Sequence, residues 1–143
     1  MYWLIESDKA NDNGQNKWNN FMIKVPAEIK AMLANGNIEV ALSQFFMAGI
    51  QSGQNIMCDI FMSICEVQVV NSVRLPLVRR VFIKEEGEVD IHNLHYITVA
   101  NTLDDYVHVH IQCDKGTASI LESDTREVKA ILVFHFVQKN NGF

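Results

Sequence analysis

The last long apolar segment of the chain constrains the fold most, because it is apolar on both of its faces. Val128–Gln138 reads VKAILVFHFVQ, with Lys129 and His135 as its interior polar side chains. Side chains alternate between the two faces of a strand, so a run without polar alternation predicts a central strand covered on both sides. The cover for its second face must come from helices of the same chain or from another subunit.

Further strands are predicted upstream of this segment. Leu94–Ala100 and Tyr106–Cys113 are rich in β-branched and alternating apolar residues, a pattern typical of strands. The five residues 101–105 between them predict a hairpin loop, which would place Thr98 opposite His108. Residues 117–121 are a shorter candidate strand.

The first half of the chain predicts a pair of helices. Pro26 suits the first position of a helix, and Asn35 and Gly36 suit its end, so a short helix is expected over about 27–34. A second helix is expected from Asn37 to Gly53, because apolar residues recur there at helical spacing. Those residues are Ile38, Leu42, Phe45 and Phe46.

Residues 55–66 fit two patterns. A helix to about Cys65 is favoured, although Ile56, Cys58, Ile60 and Met62 also alternate as they would in a strand. Helices first and strands afterwards predict an α+β fold, with an N-terminal helical hairpin packed on a mainly antiparallel C-terminal β-meander. With 143 residues and no linker-like segment, the expectation is a single domain over residues 1–143.

Charge and cysteine content limit the classes of partner and compartment. The net charge is −5 and the few basic residues are scattered, so nucleic acid is not the expected partner. Residues 1–6 lack the features of a signal peptide, and no apolar run has the length of a membrane span. Three cysteines without a C-x-x-C motif predict free thiols in a reducing, cytoplasmic setting.

The candidate chemistry of the chain centres on His108 and His110. Alternation along a strand places both imidazoles on one face, where they could bind a metal ion together with a carboxylate such as Asp104 or Asp105. His108-x-His110 followed by Asp114 also resembles half of a cupin metal site. The sequence lacks the glycines that cupins carry ahead of these histidines, so the resemblance does not extend to the rest of the motif.

Trp3 and Trp18 flank a polar, asparagine-rich segment and are the candidate interface residues. A tryptophan near a chain end offers a large contact area at low entropic cost, which is typical of residues that anchor a partner. The alternative is that both side chains pack their own segment onto the core.

Two functions follow from these observations. The first is a non-enzymatic protein-interaction or assembly module that self-associates, without a cofactor, since no catalytic motif is present and apolar residues reach 48%. Thirteen asparagines against four arginines are compatible with a virus- or mobile-element-encoded structural or accessory protein. The alternative is a small metal-dependent hydrolase that uses His108, His110 and Asp105.

Overall fold

The structure is a computed structural model, and it describes residues 1–7, 18–48, 56–83, 88–100, 104–114 and 129–139. Strands dominate these segments, and the described helix is a short one. In chain order the elements are β1 Tyr2–Glu6, β2 Asn20–Lys24, α1 Ala27–Ala34, β3 Ile38–Ala48, β4 Ile56–Met62, β5 Gln68–Val70, β6 Val73–Leu75, β7 Leu77–Ile83, β8 Glu88–Asp90, β9 Ile97–Thr98, β10 Tyr106–Cys113 and β11 Lys129–Gln138.

Two antiparallel sheets contain most of the strands. The first, sheet A, has the order β1-β11-β3-β8, and β9 also pairs with β3. The second, sheet B, has the order β2-β10-β4-β7. Strands β5 and β6 form a separate two-stranded ribbon. The last strand of the chain, β11, therefore lies between the first strand and the third.

The order of the strands is that of a jelly roll. When the short β5, β6 and β9 are left out, the eight remaining strands can be counted from first to eighth in chain order. Sheet A then contains the first, eighth, third and sixth strands, and sheet B contains the second, seventh, fourth and fifth. The chain repeatedly crosses from one sheet to the other, as two interleaved Greek keys require. This is the eight-stranded, two-sheet architecture that viral capsid subunits, lectins and cupins share.

A single apolar core fills the space between the sheets. Alternate residues of β10 and β11 point inward and are buried, among them Val109 and Ile111 in sheet B and Leu132 and Phe134 in sheet A. Burying a side chain of this size stabilises the fold by about 1.5–3 kcal/mol. Within the described segments the buried side chains are apolar except for Ser7, so the interior is a packed core.

The predicted helical hairpin is wrong, and with it the α+β fold class, because only its first helix exists. Helix α1 occupies Ala27–Ala34 as expected, and Gly36 ends it with φ of 73°. The expected second helix is the long strand β3. Its pairing with β11 is shifted around Ser43, opposite Val133 and Phe134.

That β-bulge explains the misleading helical spacing. Before the bulge the inward residues of β3 include Ile38 and Leu42, and after it they include Phe45 and Met47. An extra residue in a strand changes which positions face inward. Ile38, Leu42 and Phe45 therefore fall at the spacing of a helix stripe although they lie on one face of a strand.

Two other expectations are corrected. Residues 56–62 form β4, so the alternation of that segment was the correct signal and the helix expected to Cys65 is wrong. The expected hairpin around 101–105 does not exist, because β9 pairs with β3 in sheet A whereas β10 lies in sheet B. Thr98 lies opposite Glu39, and His108 lies opposite Met22. The candidate strand 117–121 lies outside the described residues.

Two of the strands expected in the C-terminal half are confirmed, whereas the strand expected over Leu94–Ala100 is limited to Ile97–Thr98. Strand β10 occupies Tyr106–Cys113, and β11 occupies Lys129–Gln138 at an interior position of sheet A. In the described part of the chain, no helix has the length and apolar character that crossing a bilayer requires.

The assignment of inner and outer faces predicts unequal effects of two substitutions. Leu132→Ala should lower the free energy of unfolding by about 2–5 kcal/mol, because it leaves a cavity in the packed core. Phe82→Ala removes a larger side chain but should lower the free energy of unfolding much less, since Phe82 is 60% exposed. Urea denaturation of both variants measures the difference, and equal losses would contradict the assignment.

Candidate functional site

The two central strands of the sandwich present different outer faces. In sheet A, the outward residues of β11 include Ile131, Val133 and Val137, all half-buried by their neighbours. In sheet B, the outward residues of β10 include His108 and His110. One face of the protein is therefore apolar at its centre, and the opposite face is polar at its centre.

Neighbouring strands extend the apolar centre of sheet A into a patch. Strand pairing places Leu4 opposite Val133 on one side, and Phe46 opposite Ile131 on the other. Tyr2 precedes Leu4 on the same face of β1. Tyr2 is 65% exposed, Leu4 57% and Phe46 37%. We call these five residues, Tyr2, Leu4, Phe46, Ile131 and Val133, the outer patch.

The outer patch borders a shallow concavity of about 500 Å³, lined also by Val89 and Ile91 beyond β3. Its polar lining consists of Ser43 and Gln44 at the β-bulge and His92 after β8. The Ser43 hydroxyl donates a hydrogen bond of 2.9 Å to the Val133 carbonyl. At the end of the patch, Lys129 and Glu6 approach to 3.8 Å. An apolar centre with a polar rim is the arrangement found in protein interfaces.

An aromatic cluster adjoins the outer patch around His135. The ring of Tyr2 stacks on the imidazole with centroids 4.3 Å apart, and the Tyr96 hydroxyl lies 2.7 Å from Nδ1 of His135. Burial, and then the positive charge of the amino terminus, lower the pKa of His135. These contacts fix the position of Tyr2 at the border of the outer patch.

The histidine pair predicted from the sequence exists on the outer face of sheet B. The rings of His108 and His110 are nearly parallel with centroids 6.4 Å apart. His108 Nε2 is hydrogen bonded to Asn20 Oδ1, and the ring of Phe61 lies against His110 at 5.9 Å. Burial first, and the charge of His108 second, lower the pKa of His110.

The carboxylate expected to complete a metal site is engaged elsewhere. Asp105 precedes β10 and is exposed, and its carboxylate accepts a charged hydrogen bond from Lys30 Nζ on α1. This contact lowers the pKa of Asp105. In the ranges that the structure describes, no three His, Cys, Asp or Glu side chains are grouped as metal ligands. Among the described residues, His108 and His110 therefore have no third side chain with which to bind a metal ion.

The two tryptophans both pack toward the core, Trp3 within it and Trp18 at its border. Trp3 is 6% exposed and packs near Phe136, with ring centroids 6.3 Å apart. Trp18 is half-buried and packs against the same core. Their role as interface residues stays a prediction, and neither lies in the outer patch.

Sequence reasoning found one strand of the outer patch and missed the others. The apolar second face of residues 128–137 was visible in the sequence, and it supplies Ile131 and Val133. Leu4 and Phe46 were missed as surface residues, because their position beside β11 depends on strand order. For Leu4, the alternation of Tyr2 and Leu4 against Trp3 and Ile5 was a usable signal.

Comparison of the chain with protein-family models, with curated proteins and with solved structures gave no match. The sequence and the geometry of the described residues therefore carry the functional argument.

The environment of His110 predicts a titration that can be measured by NMR. Its imidazole should titrate below the ordinary histidine value of 6.5, and His108→Asn should raise the pKa of His110 because it removes a positive neighbour. Since folding disfavours the protonated form, this residue's contribution to stability should be present above pH 6.5 and decline as the pH falls below it. An unchanged His110 titration in His108→Asn would contradict the coupling.

Proposed function

We propose that this protein is a non-enzymatic assembly module that self-associates through the outer face of sheet A. The observation that carries the proposal is the apolar outer face of the central strand β11, extended by the exposed Leu4 and Phe46. We further propose that the module serves as a structural or accessory protein of a virus or mobile element. Its jelly-roll topology and asparagine-rich, arginine-poor composition are compatible with that use.

The fold alone does not select this function, because jelly rolls also include lectins and cupins. A ligand or metal bound between the two sheets would need polar side chains on their inner faces. The described inner faces carry apolar side chains packed into one cluster. His108 and His110 project outward from β10, on the side opposite that core. Among the described surfaces, the outer faces of the two sheets are therefore the ones that support a binding role.

A second copy of the same chain is the partner that the geometry favours. The outer patch continues onto β1, whose one strand neighbour among the described residues is β11. An edge strand offers a row of backbone donors and acceptors to another chain. Two copies that pair their β1 strands antiparallel about a two-fold axis would form one continuous sheet, with their outer patches side by side.

The proposed dimer needs both β1 strand pairing and the outer patch to bury enough surface. A stable dimer buries roughly 800 Å² on each partner, which is more than a few side chains provide. Strand pairing along β1 adds backbone contacts, and the outer patch adds apolar contact beside them. The proposed interface is therefore a strip that runs along β1, including Leu4, and continues onto the outer face of β11.

Leu4→Lys tests this interface, with Phe82→Lys as a control of matched exposure on sheet B. Leu4 is 57% exposed and Phe82 60%, so neither change disturbs the core. Wild-type protein should show a molar mass that rises with concentration in light scattering. Leu4→Lys should weaken self-association by about 2 kcal/mol, roughly thirtyfold, because a charge is placed in a desolvated contact.

The control defines what would contradict the proposal. Phe82→Lys should leave the association constant close to that of the wild type. A wild-type chain that stays monomeric at high concentration would remove the proposal. Equal weakening by both substitutions would place the interface outside the outer patch.

A further inference from the structure

Cys58 and Cys113 lie directly opposite each other on neighbouring strands of sheet B. Their Sγ atoms are 3.0 Å apart, and both residues are free thiols in the structure. Cys58 is fully buried on the inner side of β4, whereas Cys113 is half-buried at the last position of β10. The pair therefore has one sheltered sulfur and one that is partly open to solvent.

The hydrogen bonds of the strands show which kind of pair this is. The next opposed pair, Met57 and Asp114, is joined by a bond of 2.9 Å from the Asp114 amide to the Met57 carbonyl. Ile111, two residues before Cys113, donates its amide to Asn19 on the other side of β10. Since hydrogen-bonded and non-hydrogen-bonded pairs alternate, Cys58 and Cys113 form a non-hydrogen-bonded pair.

This position suits a covalent link between the strands. Opposed Cα atoms of a non-hydrogen-bonded pair are about 4.5 Å apart and their side chains approach closely. Disulfides bridge Cα atoms that are about 4.4–6.8 Å apart. Closing the bond therefore requires adjustment of the two side chains and does not require the strands to separate.

We propose that Cys58 and Cys113 form a reversible disulfide by exchange with low-molecular-weight disulfides such as glutathione disulfide. The site is a dithiol that joins β4 to β10, the two interior strands of sheet B. It is separate from the outer patch, which lies on sheet A, and does not depend on the proposed self-association.

The exchange proceeds in two balanced steps. The Cys113 thiolate attacks one sulfur of glutathione disulfide, which forms a mixed disulfide and releases one glutathione thiolate. The Cys58 sulfur then attacks Sγ of Cys113 and releases the second glutathione. The two protein thiols are oxidised, the glutathione disulfide is reduced, and the two protons end on the two glutathione thiols.

The surroundings of the two sulfur atoms favour Cys113 as the attacking thiolate of the first step and Cys58 as the resolving thiol of the second. The hydrogen bond between the thiols lowers the pKa of Cys113, whose thiolate is stabilised by the Cys58 proton. The same contact and burial raise the pKa of Cys58, which holds its proton until Cys113 has reacted. A thiolate is the reactive form of cysteine, so the half-buried Cys113 is the entry point.

Cys65 provides an internal comparison within the same chain. It lies opposite Val99 in a β-bridge, and burial raises its pKa to about 12. It should therefore stay reduced under conditions that oxidise the other two cysteines. Modification of Cys113 should be at least about tenfold faster than modification of Cys65.

Intact-mass spectrometry of the full chain after incubation with glutathione disulfide and acid quenching tests the proposal. Wild-type protein and Cys65→Ser should each lose the mass of two hydrogens. Cys58→Ser should instead retain one glutathione, because the resolving thiol is absent, and peptide mapping should place it on Cys113. Dithiothreitol should restore the original mass.

The wild-type measurements decide the matter even if a variant fails to fold. A non-reducing peptide map should join the peptides of Cys58 and Cys113, and the oxidised protein should melt at a higher temperature than the reduced protein. Retention of three free thiols would overturn the proposal. A disulfide that involves Cys65, or one that joins two copies of the chain, would also overturn it.

Discussion

The antiparallel pairing of β11 with both β1 and β3 is the constraint on which the remaining structure depends. This pairing aligns five residues with β1 and ten with β3, so the last strand joins the beginning and the middle of the chain in one sheet. It also fixes which side chains of β11 face inward. Phe134 and Phe136 then complete the core, and Ile131 and Val133 are left on the outer face. The topology and the candidate interface thus have the same origin.

The sequence predicted the elements whose signal lies within one segment. Val128–Gln138 and Tyr106–Cys113 were recognised as strands because their apolar residues mark their faces without help from the rest of the chain. Helix α1 was recognised from Pro26 and Gly36. Strand β3 was not, because the bulge at Ser43 shifts its inward positions and imitates a helical stripe. A bulge is set by pairing with a distant strand, so its effect is invisible to local periodicity.

Strand order was a second source of error, since it is determined by contacts between distant segments. Residues 94–100 and 106–113 are close in sequence, which favours a hairpin, yet the jelly roll places them in different sheets. The prediction of the candidate site was incomplete for the same reason. His108 and His110 were correctly placed on one face of a strand, but their neighbours Asn20 and Phe61 come from strands that the sequence did not connect to them.

The outer face of sheet A contrasts with that of sheet B because of what each central strand carries. His108 and His110 on β10 are polar side chains that favour contact with solvent, and His108 is also hydrogen bonded to Asn20, so sheet B does not need a cover. Ile131 and Val133 on β11 gain nothing from water, and burying them stabilises any arrangement that covers them. A net charge of −5 on each copy opposes the proposed self-association, so apolar contact and strand pairing would have to exceed that repulsion. The half-buried Ile131 and Val133 on the outer face of β11 are thus the side chains whose further burial would drive the proposed self-association.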